Sequence, residues 1–139
     1  TILRKREGYR KAFCDFDAEQ VVRMTDEDVE RLMQFEGIVR NRLKIKSTIT
    51  NARLFLDIQK EFGSFYDYTL SFFPGRKPIV NTVRALSEIP AFSPESDAMS
   101  KDMKKRGFKF FGTTICYAHL QAAGFINDHL VDCVCRKGL

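Results

Sequence analysis

Runs of β-branched residues alternating with polar ones at a period of two, the pattern of a half-buried strand, are nearly absent from this chain. Helix punctuation takes their place. Thr25-Asp26-Glu27-Asp28 is a threonine cap followed by acids that suit the positive end of a helix dipole. Val29, Leu32 and Met33 give that helix an apolar face, and Gly37 is the expected stop. Asp17 is placed to cap a short helix over Ala18–Met24. A longer helix is predicted from about Asn41 to Lys60, ended by Gly63. Its apolar residues, among them Leu43, Ile45, Ile49, Leu54 and Ile58, spread too widely for a narrow stripe, which predicts a central helix. Ser64–Phe73 reads as a short helix and Pro74-Gly75 as a turn. Residues 76–96, with Pro78, Pro90 and Pro94, are the least regular stretch. Ser96-Asp97 is predicted to open a helix closed by Gly107, and Thr113 or Thr114 a last one closed by Gly124. The predicted class is all-α.

A length of 139 residues predicts a single domain over 1–139, and 44% hydrophobic residues is globular composition. No run approaches the roughly 20 apolar residues of a membrane-spanning helix, so no transmembrane helix is expected, and no membrane is named among the expected partners. The net charge of +5 suits an anionic partner without saying which. Four cysteines do not read as a disulfide scaffold. Ile2-Leu3-Arg4-Lys5-Arg6-Glu7 already resembles the middle of an amphipathic helix. The expectation is therefore that a segment precedes Thr1; removal of a short leader is the alternative.

Three features point to chemistry. In the first, two predicted helices meet at Gly37, between Phe35 and Ile38, with Arg40, Arg42, Lys44 and Lys46 just beyond. This is the layout of a helix-hairpin-helix. Backbone N–H groups at such a turn, and the dipole of the following helix, grip a phosphate without reading sequence. An ordinary helical hairpin with a solvated basic start has the same pattern. The second is the cluster Lys101, Lys104, Lys105, Arg106 and Lys109 around Gly107, which the negative end of a helix dipole favours in any case. Phe108, Phe110 and Phe111 alternate with Lys109 as a stacking surface or, more simply, as buried rings. The third is His129 and Cys133, four residues apart on one helical face, both good zinc ligands but only two of the four a tetrahedral site needs. Cys135 is near; Cys14, Cys116 and His119 are distant in sequence. A partly buried histidine among inert thiols, or a Cys/His nucleophile pair, are the other readings.

Together, Leu3-Arg4-Lys5-Arg6-Glu7-Gly8-Tyr9-Arg10, Gly37-Ile38-Val39-Arg40-Asn41 with Lys44-Ile45, the long block from Lys104 to Tyr117, and Asn127-Asp128-His129 resemble the DNA-3-methyladenine glycosylase I family along essentially the whole chain. The resemblance implies an α-helical domain of the helix-hairpin-helix glycosylase superfamily, with the hairpin at about 25–60 and a zinc-binding tail at about 126–139. It implies a monofunctional glycosylase in base-excision repair. Such an enzyme flips 3-methyladenine out of alkylated double-stranded DNA and hydrolyses its N-glycosidic bond, leaving an abasic site and free 3-methyladenine. The implied protein is a monomer, cytoplasmic, bacterial in type and associated with the nucleoid through DNA.

Carried over by position, Glu36, Gly37, Ile38, Arg40 and Asn41 match the family's DNA-backbone clamp, and His129 and Cys133 match two of its four structural Zn2+ ligands. Thr113, Thr114, Tyr117 and Gln121 are candidates for lining the base site. The family's acid that contacts the base, its stacking aromatics and its other two zinc ligands fall upstream of Thr1, so no catalytic residue is assigned. The alternative function is a non-catalytic DNA-binding hairpin module that has lost the base pocket; a third is a basic helical interaction protein that touches no DNA.

Overall fold

The computed structural model describes residues 3–130 and 132, with the side chain of Leu3 left aside. Among them the order is α1 (Arg6–Ala12), α2 (Ala18–Val21), α3 (Asp26–Leu32), α4 (Arg42–Phe62), α5 (Phe65–Leu70), β1 (Ile79–Val80), α6 (Pro94–Arg106), α7 (Thr113–Ala122) and β2 (Ile126–Asn127). The protein is all-α in class, as its sequence predicts. It divides into two compact units, one drawn from Thr1–Glu61 and Gly107–Phe110, the other from Phe62–Arg106 and Phe111–Leu139.

In the first unit the capping chemistry is as expected. The Asp17 carboxylate accepts from the Glu19 amide at 3.0 Å. Thr25 and Asp28 form a reciprocal capping box: the Asp28 carboxylate accepts from the Thr25 amide at 2.8 Å, and the Thr25 hydroxyl from the Asp28 amide. Ala12, Phe13, Val21, Val29, Leu32, Ile38 and Ile45 form the core. Between α1 and α2 the chain reverses through Cys14, Asp15 and Phe16, all left-handed at φ 56°, 58° and 60°.

Gly37 departs from expectation. α3 ends at Leu32, and Gly37 lies beyond it in the turn before α4. The glycine answers a different demand, the close approach of two backbones. A Cβ on Gly8 of α1 would lie 1.9 Å from the Gly37 carbonyl oxygen, and one on Gly37 would lie 3.2 Å from the Gly8 Cα.

In the second unit the Ser64 hydroxyl caps α5 by accepting from the Asp67 amide at 3.0 Å. α6 starts at Pro94, earlier than Ser96-Asp97 suggests. Ser93 is the cap: its hydroxyl accepts from the Ser96 amide at 3.2 Å, and its own amide donates to the Ser96 hydroxyl at 2.8 Å. Proline is well placed at the first helical position, where an N–H has no partner within the helix. The Tyr68 hydroxyl (2.6 Å) and Arg106 Nε (2.8 Å) both donate to Asp102, and the Arg106 guanidinium lies over the Phe62 and Tyr68 rings. Burial by itself would raise the Asp102 carboxyl, but the bonds from Tyr68 and Arg106 outweigh it and hold the group below its ordinary range.

The strands are the element sequence reading missed. β1 and β2 run parallel, with Ile79 opposite Ile126 and Val80 opposite Asn127, and Val83 bridges to Leu130. Two residues are too few to show a period, and the partner lies far along the chain.

Candidate functional site

The hairpin between α3 and α4 brings Glu36, Gly37, Ile38, Arg40 and Asn41 together on the first unit. Ile38, 2% exposed, is its anchor in the core. Lys5 Nζ donates to the Glu36 carbonyl at 3.0 Å, and the Val39 amide donates to the Tyr9 hydroxyl at 3.2 Å, so α1 and the residue that precedes it brace the turn. Asn41 caps α4: its side-chain oxygen accepts from the Lys44 amide at 3.2 Å, and its carbonyl from the Ile45 amide at 3.0 Å. Two of the N–H groups expected to point outward, those of Val39 and Lys44, are thus already engaged within the protein. The cations divide as well. Arg42 is paired with Glu30, whereas Arg40 is exposed and makes no ion pair among the described residues. Charge for an anion is therefore carried by Arg40 on the braced turn and by Lys44 and Lys46 at the start of α4.

In the second unit the four candidates for the base site separate. Thr113 is engaged: its hydroxyl donates to Asp97 at 2.6 Å and lies 2.8 Å from the Ser96 hydroxyl, joining the first turn of α7 to that of α6. Thr114 is exposed beside Gly112, which opens α7 without a side-chain cap. Tyr117 and Gln121 converge on Asp128, a residue sequence reading quoted only within the family block. The Asp128 carboxylate, 5% exposed, accepts from the Tyr117 hydroxyl, from Gln121 Nε2 at 3.0 Å and from Asn81 Nδ2 at 2.7 Å. Burial, then the neighbouring carboxylate, pushes the Tyr117 phenol far up, so it stays a donor. Of this cluster, Gln121 and Asp128 line a mostly apolar cleft of about 520 Å³, together with His129, Leu86, Ile89 and Ile126, whereas Tyr117 is buried and is not part of the lining. An aspartate shortly after a helix end, with a phenol and an amide one helical turn apart on that helix, is the signal the sequence carries.

His129 stands at the edge of this cleft, its amide donating to Asn127 Oδ1 at 3.1 Å. Cys133 and Cys135, its proposed companions, lie outside the described residues. Among the described residues no three His, Cys, Asp or Glu side chains gather as a metal would require, so these residues alone do not make a closed zinc site. Cys116 is fully buried, its thiol pushed up to about 11 by burial, which fits an inert core thiol. No helix among the described residues is long and apolar enough to cross a membrane.

A helical chain with a braced cationic hairpin and a cleft lined by a clasped aspartate is matched over residues 1–137 by the family model described as methyladenine glycosylase, and the chain belongs to that family. DNA-3-methyladenine glycosylase 1 of Escherichia coli (strain K12) is 50% identical over 138 residues, which is 99% of this chain and 73% of that protein. A crystal structure of 3-methyladenine DNA glycosylase I (TAG) superposes with a TM-score of 0.88 at 47% identity, covering 96% of this chain and 73% of that one. A variant of such an enzyme, solved in complex with 3-methyladenine, superposes with a TM-score of 0.91 at 37% identity, covering 97% and 72%.

Proposed function

We propose that this chain is a hydrolytic DNA glycosylase that excises 3-methyladenine from alkylated DNA and leaves an abasic site. The observation that carries the reading is the match to the family along nearly its whole length, at 50% identity to a DNA-3-methyladenine glycosylase. The reaction needs little from an acid. Methylation at N3 puts a positive charge on the base, so it departs without being protonated, and water attacks C1′ of the sugar as the glycosidic bond breaks. The protein's main tasks are to hold the duplex, admit the flipped base and exclude unmethylated adenine.

In this reading the hairpin of Glu36, Gly37, Ile38, Arg40 and Asn41 rests on the phosphate backbone, with Arg40 as its unshared cation. Gln121 and Asp128 form the inner wall beside the base site, with Tyr117 holding the Asp128 carboxylate through its hydroxyl. The protein acts as a monomer in a bacterial-type cytoplasm, bound to DNA. The test is release of free 3-methyladenine from methylated duplex by the 139-residue chain. Release above a heat-killed control is expected, and its absence alongside retained duplex binding would favour the non-catalytic DNA-binding module instead. Arg40→Glu should weaken duplex binding about tenfold and lower the slope of log affinity against log salt by about 1 or more. An unchanged slope would remove Arg40 from the clamp.

For the tail, the reading assigns His129 and Cys133 as two ligands of a structural zinc. Metal analysis of the purified chain should find zinc in proportion to protein, and His129→Ala should lower it. Equal zinc in both would overturn the assignment.

A further inference from the structure

The run Phe108-Lys109-Phe110-Phe111 does not have one fate. Phe108 is buried and Phe111 packs edge-on against His119, but Phe110 is 51% exposed. Its surroundings within the first unit are built with some care. Asn51, in the middle of α4, grips the backbone of Lys109 at both polar atoms: its Oδ1 accepts from the Lys109 amide at 3.0 Å and its Nδ2 donates to the Lys109 carbonyl at 3.2 Å. This two-point contact imitates a neighbouring strand and fixes residues 107–110 to the helix.

The next residue, Phe110, takes φ 58°, a conformation a bulky side chain avoids. Gly107 at φ 109° already supplies a turn, so the strain at Phe110 sets the direction of its ring. Burial does not repay that strain. Lys44 Nζ lies 5.4 Å from the ring centroid, and Lys109 and Lys46 are exposed nearby in sequence on the same two segments.

A rigid exposed aromatic ring among cations matches a nucleobase flanked by its phosphates: the ring takes the flat face and the ammonium groups take the charge. We propose that Phe110, held by Asn51 and backed by Lys44, is a stacking platform for an unpaired base in the bound DNA. The proposal rests on the DNA-glycosylase reading, because base flipping creates unstacked bases in an otherwise paired duplex. Charge complementarity and continuity with the hairpin, where Arg40 stands on the turn and Lys44 in the first turn of α4, argue for nucleic acid as the occupant.

The test compares two duplexes, one with a single bulged adenine and one with an abasic analogue at the same bulge. Phe110→Ala should weaken binding of the adenine bulge by about 5- to 100-fold while changing the abasic bulge by less than about twofold. Phe110→Trp should restore the difference. Asn51→Leu, which keeps the shape and loses both hydrogen bonds, should erode the same base-dependent preference with the ring still present. Because Phe110 is exposed, the thermal unfolding of Phe110→Ala should match that of the parent protein. Equal weakening on both duplexes would overturn the platform in favour of a backbone contact. No weakening on either, with the parent binding both, would overturn it outright. Failure of the parent to bind either duplex would overturn the DNA-binding reading itself.

Discussion

Gly8→Ala should lower stability by on the order of 3 kcal/mol, a fall in Tm of roughly 10 °C, and should weaken duplex binding with it. The added Cβ would lie 1.9 Å from the Gly37 carbonyl oxygen, 2.6 Å from its carbon and 2.9 Å from its Cα, all backbone atoms with no rotamer to change. Relief requires α1 to move away from the hairpin. That movement carries off Lys5 and Tyr9, which hold the Glu36 carbonyl and the Val39 amide. The turn that presents Arg40 would then lose its support from one side. Gly37→Ala is the internal control. Its Cβ would meet the Phe35 ring at 2.5 Å, and a ring can swing aside, so the smaller loss is expected there. Thermal melts of the two variants decide the matter. Equal melting of Gly8→Ala and the parent protein would mean that the two backbones can separate freely.

The second large effect is expected at Asp128. Asp128→Asn keeps the size but turns an amide NH2 toward groups that all donate: the Tyr117 hydroxyl, Gln121 Nε2 and Asn81 Nδ2. One buried donor would be left facing another, at a cost of about 2–4 kcal/mol. Tyr117→Phe removes one donor and leaves the other two bonds in place, so about 1–2 kcal/mol is expected. The order of the two is the informative result. Equal losses would mean that Asp128 is held through Tyr117 alone. The variant also bears on function, because the carboxylate ties α7 to residue 81 and sets the wall of the cleft. Its glycosylase activity should fall further than its stability at the assay temperature explains.

What could be read in advance was what depends on neighbours in sequence. The Thr25–Asp28 capping box needs four consecutive residues, and the glycines after α4, α6 and α7 adopt φ 88°, 109° and 85° at the helix ends where they were expected. Misreadings arose where the cause lay elsewhere in the chain. Gly37 looked like a helix stop because its true reason, Gly8, belongs to another helix. Ser96 looked like a cap because Ser93, three residues earlier, is its partner in the same reciprocal bond; Pro94 was the overlooked cue. Phe110 resembled its buried neighbours until the backbone turned it outward.

The candidate site divides along the same line. The hairpin residues are contiguous, so their grouping was visible; the bracing by Lys5 and Tyr9 was not. Tyr117 and Gln121 were named from the resemblance, but the acceptor that unites them required Asn81 and Asp128 to meet from 47 positions apart.

The parallel pairing of β1 with β2 imposes an order in time. Helices close their hydrogen bonds between near neighbours, whereas this pair must first gather the ends of a long intervening segment, at an entropic cost that no local contact offsets. It should therefore complete late in folding, after α6 and α7 have formed, which pulse-labelled hydrogen exchange would check. The Ile79 and Asn81 amides, which donate to the Phe125 and Asn127 carbonyls at 2.8 and 2.9 Å, are natural clocks for that last step. Until they are protected from exchange, Asn81 has not reached Asp128, and the cleft wall that depends on it is unfinished even in a chain whose helices have all formed.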